Sequence, residues 1–278
     1  MTDEFEDCGN GEPEGSLEID FDRAHPARMY DYLLGGRTNF DADREAADRA
    51  LGANPTLRVA ARENRAFLLR VVDHVARSGV RQFVDVGTGI PIEGNNTHDV
   101  AQAVRSDARV VYVDNDPIVL AHAKALLAGD PDGRTAYIDG DLRDPGSIVE
   151  HPAFVETLRL DEPVALLLVA ILHFVADDED PASILRELTK RLPSGSRMVI
   201  SHATADFDPV RWAGTVRAYA DAGITVRPRS RSEIEALFEG WEIEEPGLLV
   251  LSDWRPAPGA EPVDPILASC YGAVARKL

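Results

Sequence analysis

A short apolar run that ends beside an acid and continues into two glycines is the feature that most restricts how this chain folds. The run begins at Gln82 and ends at Val86, and the stretch reads QFVDVGTGIP. A continuous apolar run is typical of a parallel strand that helices cover on both faces. Gly87 and Gly89 permit a sharp backbone turn and close approach to a ligand. The stretch therefore predicts a buried strand that ends beneath a nucleotide-like ligand.

Strand and helix patterns alternate from this point onward. Apolar runs predict strands at Gln82–Val86, Arg109–Val113, Thr135–Ile138, Val164–Val169 and Arg197–Ser201, with helices at Thr97–Arg105, Pro117–Leu127, Pro145–Thr157, Pro181–Leu192, Pro209–Ala222 and Ser232–Phe238. Right-handed crossovers then produce an open, doubly wound α/β sheet that is mostly parallel. The last two apolar runs, WEIEEPGLLVLSDW and ILASCYGAVARK, predict antiparallel strands at the sheet edge.

The first eighty residues follow a different pattern. Residues 1–20 contain eight acids and no Lys or Arg, which predicts a solvated, mobile acidic tail. In residues 21–80 apolar positions recur at helical spacing, which predicts helices. Gly35 and Gly36 stop the first helix, and Thr56 caps a long helix that Gly79 ends. Residues 81–278 make up the remaining, Rossmann-like domain.

Charge and composition argue against several classes of partner. The formal net charge is −19, whereas proteins that bind a phosphate backbone normally present positive charge, so we expect no nucleic acid partner. No apolar run is long enough for a bilayer and no signal pattern is present, so we expect no membrane partner. Cys8 and Cys270 belong to no Cys/His cluster, which indicates a reducing, cytoplasmic setting without structural zinc or another metal.

Acids follow the ends of successive predicted strands, where ligands bind in open α/β sheets. These acids are Asp85, Asp114, Asp139 and Asp141. Asp114, with Asn115 beside it, is placed to accept hydrogen bonds from both hydroxyls of a ribose. Asp141 is placed to accept from an adenine amine, and the Leu142 backbone amide faces the ring. The alternative interpretation is that such aspartates only form turns or cap helices.

The glycine pattern distinguishes between two adenosine ligands. A dinucleotide fingerprint requires G-x-G-x-x-G, in which the third glycine lets helix and strand pack beneath a pyrophosphate. Here Ile92 occupies that third position, and the next helix begins late, near Thr97. A ligand with ribose and adenine but no phosphate fits better, which predicts S-adenosyl-L-methionine. A nicotinamide oxidoreductase remains an alternative.

Several longer stretches support the same interpretation. VDVGTGIP, VVYVDNDPIVLAHAKALL, TAYIDGDLRDP and VALLLVAILHFVADDEDP resemble class I S-adenosylmethionine-dependent methyltransferases. ARMYDYLLGGRTNFDADREAA, NRAFLLRVV and GVRQFVDVGTGIP resemble, more narrowly, a high-GC bacterial family of S-adenosyl methyltransferases long catalogued as a domain of unknown function. The resemblance covers nearly everything after about residue 20. It implies a Rossmann-like sheet of seven strands and the cofactor, but no particular methyl acceptor.

The resemblance also implies that the helices before the first strand form a lid over the cofactor. Within this lid, Arg28 is a candidate to bind the cofactor's carboxylate through a bidentate, charge-assisted pair. Tyr30 and Asn39 are candidates to close over the site, with Asn64 and Arg65 as further candidates. The alternative interpretation pairs Arg28 with a nearby acid, such as Asp31 or Asp41.

The end of the fourth predicted strand is the expected site of chemistry. There Ala170 would lie beside the cofactor and His173 at the lip of an acceptor pocket, while His202 follows the fifth strand. Either histidine has an intrinsic pKa suited to a general base, which a hydroxyl acceptor would need. A histidine in such an apolar setting is also commonly structural.

We expect the acceptor to be a small molecule. Enzymes that methylate the exocyclic amines of bases resemble one another in an Asp/Asn-Pro-Pro-aromatic run after the fourth strand. This chain has Val169-Ala170-Ile171-Leu172 at that place. Trp212, Tyr219 and Phe238 are candidates to line the acceptor pocket. A non-catalytic S-adenosylmethionine-binding protein and an enzyme that transfers another group, such as aminopropyl, remain alternatives, and the sequence does not reveal an oligomeric state.

Overall fold

The computed structural model describes residues 20–126 and 132–278, so the predicted acidic tail lies outside the described residues except for Asp20. The helices are α1 (Pro26–Leu34), α2 (Asp41–Ala53), α3 (Leu57–Arg77), α4 (Thr97–Val104), α5 (Pro117–Leu126), α6 (Pro145–Glu150), α7 (Pro152–Thr157), α8 (Pro181–Thr189), α9 (Pro209–Ala220), α10 (Arg231–Ala236) and α11 (Pro265–Ala268). The strands are β1 (Gln82–Val86), β2 (Arg109–Asp114), β3 (Arg134–Asp139), β4 (Ala165–Val169), β5 (Arg197–Ala203), β6 (Trp241–Ile243), β7 (Leu249–Val250) and β8 (Cys270–Lys277).

These strands form one sheet in the order β3-β2-β1-β4-β5-β8-β6, and the two-residue β7 pairs with β8 beside this path. Strands β1 to β5 are parallel to one another. Strand β8 runs antiparallel to both β5 and β6. The doubly wound, mostly parallel sheet with an antiparallel C-terminal strand is therefore confirmed. The expectation that the last two runs both lie at the edge needs correction, because β8 is interior, with β5 on one side and the short strands β6 and β7 on the other.

The two faces of the sheet bury separate hydrophobic clusters, which explains the continuous apolar runs. Along β1, Phe83 belongs to one cluster, while Val84 and Val86 belong to the other. Alternate side chains of a strand point to opposite faces, so a strand covered on both sides needs apolar residues at nearly every position. Each fully buried Val, Leu or Phe side chain contributes about 1.5–3 kcal/mol. The polar Asp85 in the middle of this strand is therefore an exception that calls for a local explanation.

The N-terminal helices cover one of these faces. Helix α1 begins with Pro26 after His25, whose ring accepts a hydrogen bond from a helical amide, and it ends at Gly35 with φ +86°. Glycine suits this left-handed end because it has no Cβ. Helix α3 buries Phe67 and several valines against the sheet. Thr56 occupies the predicted N-cap position of α3, but its side chain makes no capping hydrogen bond, because its hydroxyl donates to the Asn54 side chain.

Two further details of the helical segments bear on the sequence predictions. The predicted helix over Pro145–Thr157 is divided at His151, which has extended backbone angles. Proline disfavours helical angles in the residue before it, and Pro152 has this effect here. Within the described residues, no helix is both long enough and apolar enough to cross a membrane.

Candidate functional site

A cavity of about 580 Å³ lies at the carboxyl ends of the parallel strands, with α1 and α3 forming part of its wall. Most of the predicted site residues line it, namely Arg28, Tyr30, Asp85, Gly87, Gly89, Asp114, Asn115, Asp141, Leu142, Ala170 and His173. His202 is not among the lining residues. The prediction that ligands bind where the winding of the sheet reverses agrees with this location, because β1 and β4 are neighbours there.

Asp114 is held in a fixed orientation by the chain around it. Its Oδ2 accepts a hydrogen bond of 2.8 Å from the Gly89 backbone N–H, and its Oδ1 accepts one of 3.0 Å from that of Asp116. Burial raises the pKa of Asp114, although these two amide donors oppose the shift. A carboxylate has about four lone-pair positions, so each oxygen retains capacity for a further donor such as a ribose hydroxyl.

The two glycines after β1 serve different purposes. Both have left-handed φ angles, +72° at Gly87 and +67° at Gly89. A Cβ at Gly87 would come within 2.6 Å of the Ile171 side chain, whereas a Cβ at Gly89 would meet nothing within 4 Å. Gly87 therefore lets the loop after β4 pack closely. Gly89 leaves open space beside the cavity, as a backbone that contacts a ligand must.

Asp85 is the polar interruption of β1, and its burial has a local explanation. Its Oδ2 accepts a hydrogen bond of 2.5 Å from the Thr97 hydroxyl at the start of α4. Burial raises the pKa of Asp85 from 3.8 to about 6, while Thr97 and the Arg65 guanidinium oppose this shift. The carboxyl thus connects the end of β1 to α4 and forms part of the cavity wall.

The two acids predicted after β3, Asp139 and Asp141, differ in their exposure to solvent. Asp141 lines the cavity, and its two oxygens accept hydrogen bonds from the Asn115 side chain and the Arg143 backbone. Leu142 beside it is buried. Asp139, by contrast, is exposed and does not line the cavity. Only one of the two acids predicted after this strand is therefore placed to contact a ligand.

Arg28 is engaged by acids of the chain itself. Its Nε lies 3.1 Å from Asp116 Oδ2 and 3.6 Å from Asp43 Oδ1, and both acids are buried. His25 Nδ1 also lies 3.1 Å from Asp116 Oδ2. The contacts of Arg28 therefore agree better with the alternative interpretation, in which it pairs with acids of the chain, than with binding of the cofactor's carboxylate. Its partners are Asp116 and Asp43 rather than the expected Asp31 or Asp41. Asp116, which the sequence analysis did not select, connects α1 to the loop after β2.

A chain of hydrogen bonds connects α1 to the sheet through Asn64. The Tyr30 hydroxyl accepts from Asn64 Nδ2 at 2.9 Å, and Asn64 Oδ1 accepts from the Ser201 hydroxyl at 2.5 Å. Ser201 Oγ in turn accepts from the Ala170 backbone N–H at 2.9 Å. Ala170 has a left-handed φ of +56°, so this bond fixes a strained turn at the end of β4. Asn39 takes no part, since its side chain binds Asp31 away from the cavity.

The two predicted histidines occupy different environments. His173 lines the cavity, and its buried Nδ1 has no hydrogen-bond partner in the part of the chain that the structure describes. His202 is fully buried, and its Nε2 accepts from the Arg229 guanidinium while its Nδ1 contacts the Ala203 carbonyl oxygen. Burial lowers the pKa of His173 well below 6.5 and that of His202 to about 3. The expectation that His202 approaches the pocket is wrong, because both of its nitrogens are used in holding the structure together.

The remaining wall of the cavity is mostly aromatic and aliphatic. Trp212 and Tyr219 of α9 line it as predicted, whereas Phe238 is buried in the core on the other face of the sheet. The segment after α9, residues 223–226, also contributes and was not selected from the sequence. Those residues carry no polar signature, so only the fold reveals their position.

The geometry fits an adenosine ligand without phosphates. Helix α4, which would face a pyrophosphate in a dinucleotide site, begins ten residues after Gly87. The chain itself uses donors at this helix start, because the His98 N–H of the first turn donates to the Tyr112 hydroxyl and the Asn96 N–H before it donates to Asp99. The open space at Gly89 and the fixed carboxylate of Asp114 remain available to a ribose. The residues present are therefore suited to S-adenosylmethionine.

The fold is that of the class I S-adenosylmethionine-dependent methyltransferases. The sequence model of a family described as S-adenosyl methyltransferase matches residues 12–278, and the chain belongs to that family. Its cofactor is accordingly S-adenosyl-L-methionine.

Solved structures agree with this assignment. A DUF574 family protein from Streptomyces avermitilis is 45% identical, with a TM-score of 0.91 over 94% of this chain and 100% of that one. A provisionally assigned methyltransferase from Thermobifida fusca is 37% identical, with a TM-score of 0.86 over 93% and 96% of the two chains. Magnesium protoporphyrin IX methyltransferase from Synechocystis, solved with bound S-adenosylmethionine, shares the fold at 12% identity and a TM-score of 0.50, over 95% and 100% of the chains. No curated protein matches the chain.

Proposed function

We propose that this enzyme transfers a methyl group from S-adenosylmethionine to a small-molecule acceptor that binds in the same cavity. The observation that carries the proposal is the division of the cavity wall. Strands β1 to β3 contribute charged residues such as Asp85, Asp114 and Asp141, whereas β4, β5 and α9 contribute uncharged ones. One cavity thus offers a polar site for the cofactor beside an apolar site for an acceptor.

On the cofactor side, Asp114 binds the ribose hydroxyls and Asp141 binds the adenine amine, with Asn115 orienting the Asp141 carboxylate. Gly89 and Leu142 contribute backbone contacts. Arg65 is better placed than Arg28 to bind the carboxylate of the methionine moiety. It lines the cavity without an ion pair to any described acid, whereas Arg28 already pairs with Asp116 and Asp43. S-adenosylmethionine supplies an activated methyl group on a sulfonium centre when bound.

On the acceptor side, the chain has to align the acceptor and exclude water, which accounts for much of the rate of such displacements. Ala170 contributes to the floor between the two sites, and His173 contacts the acceptor as a neutral imidazole. His202 has no part in the proposal, because its ring is bound to Arg229. Nucleic acid is disfavoured as an acceptor, because a net charge of −19 repels a phosphate backbone.

The test is to incubate the protein with methyl-labelled S-adenosylmethionine and a bacterial extract divided into a small-molecule filtrate and a nucleic acid fraction. We expect label to enter the filtrate, and Asp114→Ala to abolish this transfer. Label that enters only the nucleic acid would overturn the choice of acceptor. Tight binding of the cofactor without any transfer would indicate the non-catalytic binding protein instead.

A further inference from the structure

Two residues that line the cavity on the side of β4 and α9 each carry a buried polar atom with no hydrogen-bond partner among the described residues. One is Nε1 of Trp212, a residue that is 5% exposed, and the other is Nδ1 of His173. Both residues line the cavity. A buried donor or acceptor that is left unsatisfied costs about 1–3 kcal/mol, so a ligand that reaches either atom gains a hydrogen bond that the chain does not supply.

The part of the cavity wall that β4 and the segments after it contribute carries no formal charge. Among the described residues, every lining residue from position 169 onward is neutral: Val169, Ala170, Ile171, His173, Phe174, Val175, Ala203, Trp212, Thr215, Tyr219, Gly223, Ile224, Thr225, Val226 and Cys270. We call this set the neutral wall. Burial and nearby positive charge keep His173 uncharged by lowering its pKa well below 6.5, and burial raises the pKa of Tyr219 to about 12.

Three cations lie near the neutral wall in the described part of the chain. Arg229 lies behind the turn that carries His173, and Asp177 pairs with it. Arg143 donates to the Phe174 carbonyl oxygen, but its charge is matched by Asp141 and Glu179. Arg23 is exposed, and one of its nitrogens would lie about 4.0 Å from a Cβ built on Gly223. A carboxylate within the neutral wall would lose its hydration without gaining a cation that is both buried and unpaired, which is costly.

We propose that the neutral wall binds an uncharged hydroxyarene, that is, a small aromatic molecule with a hydroxyl group. Phe174, Trp212 and Tyr219 pack against its rings, since aromatic pairs gain about 0.5–1.5 kcal/mol beyond burial. Trp212 Nε1 donates a hydrogen bond to an oxygen of the ligand, and His173 accepts one from its hydroxyl group. This inference rests on the proposed function, because it specifies the acceptor class of the same site.

Binding can be measured separately from turnover. The protein is saturated with S-adenosylhomocysteine, which has no methyl group to donate, and titrated with phenol, 2-naphthol and 9-phenanthrol and with the matching carboxylates. We expect at least one hydroxyarene to bind ten-fold or more tightly than its carboxylate. Trp212→Phe, which keeps a ring but removes the N–H group, should weaken that binding about 5- to 10-fold. His173→Leu should have a similar effect.

The control is Trp254→Phe, because Nε1 of Trp254 is also buried without a partner but Trp254 does not line the cavity. This variant should bind the hydroxyarene as the wild type does, and all three variants should bind S-adenosylhomocysteine normally. Equal or tighter binding of the carboxylates, binding of no hydroxyarene, or no effect of Trp212→Phe would overturn the inference. Failure to bind S-adenosylhomocysteine at all would instead overturn the proposed function.

Discussion

Arg229 Nη1 lies 3.0 Å from His202 Nε2, and both side chains are almost fully buried. The same guanidinium donates to the backbone carbonyl oxygens of Leu172 and Val175 on either side of the short turn that carries His173. His202 and Arg229 therefore hold this turn in place, and the turn positions His173 at the cavity. The role of His202 is structural, and it is exerted through Arg229.

We expect the substitution Arg229→Met to destabilise the protein by about 2–4 kcal/mol, because it leaves two buried carbonyl oxygens without donors. Arg227→Met is the matched control. Arg227 pairs with the same acid, Asp177, but is partly exposed, so its loss should cost less than about 1 kcal/mol. Urea unfolding of the two variants measures the difference, and equal losses would contradict the role assigned to Arg229.

Replacement of Asp114 by alanine should weaken S-adenosylmethionine binding by at least about 100-fold. Two hydrogen bonds from ribose hydroxyls to a carboxylate are lost, each of about 1.5 kcal/mol or more. The control is Asp139→Ala, which removes an exposed acid from the end of the neighbouring strand and should change affinity less than about two-fold. His173→Ala should also spare cofactor binding. Calorimetry that gave the reverse order would show that the cofactor and acceptor sides are exchanged.

The open backbone at Gly89 provides a second test of the cofactor site. Gly89→Ala should cost about 1 kcal/mol of stability, because alanine is strained at φ +67°. It should reduce cofactor affinity about ten-fold or more, since the added methyl group takes space beside the ligand. Gly259→Ala is the control, because Gly259 has φ +80° and equally open surroundings but lies away from the cavity. The prediction fails if both variants bind the cofactor equally well.

The helices before β1 remain a predicted lid, and the Arg28–Asp116 ion pair provides a way to test it. We expect chymotrypsin to cut the aromatic segment around Tyr30 more slowly when S-adenosylmethionine is present. Arg28→Gln should speed this cleavage several-fold in the absence of cofactor, because α1 loses a buried ionic contact. Arg44→Gln, which removes an exposed pair with Asp41, is the control. Identical cleavage with and without the cofactor would argue against a lid.

Asp85 should make stability depend on pH in a defined direction. Its pKa is raised from 3.8 to about 6 in the folded protein, so the protonated carboxyl stabilises the fold below about pH 4. This contribution is lost as the pH rises through about 6, and the shift corresponds to at most about 3 kcal/mol.

The variant that tests this pH dependence is Asp85→Asn, which keeps an oxygen for the Thr97 hydroxyl. It should match the wild type in stability near pH 4 and exceed it near pH 8. Denaturant unfolding at both pH values measures this, with Asp139→Asn as an exposed control that should show no such gain. A variant that is less stable than the wild type at pH 8 would contradict the argument.

Much of the architecture was predictable because its causes are local. Apolar runs such as ALLLV in β4 and the glycine that ends α1 are short-range patterns. From the apolar runs, the predicted bounds of the parallel strands differ from the observed bounds by at most two residues. The acids after β2 and β3 follow from the same patterns, since parallel strands bring their carboxyl ends to one edge of the sheet. The cofactor follows in turn from these acids and from Ile92 in place of a third glycine.

The contacts of individual side chains could not be read in this way. Asp139 and Asp141 are two residues apart and equally acidic, yet only Asp141 lines the cavity. His173 and His202 each lie near the end of a predicted parallel strand, but Arg229 binds His202, whereas His173 lines the cavity.

Residues alone thus determined the strands, the helices and the edge of the sheet at which a ligand binds, because backbone geometry and hydrophobic periodicity act over a few positions. Only the tertiary structure decided that Arg28 binds Asp116, which is far away in the chain, and that Trp212 rather than Phe238 lines the cavity. The physical reason is that a side chain's partner and its exposure depend on how distant elements pack against one another.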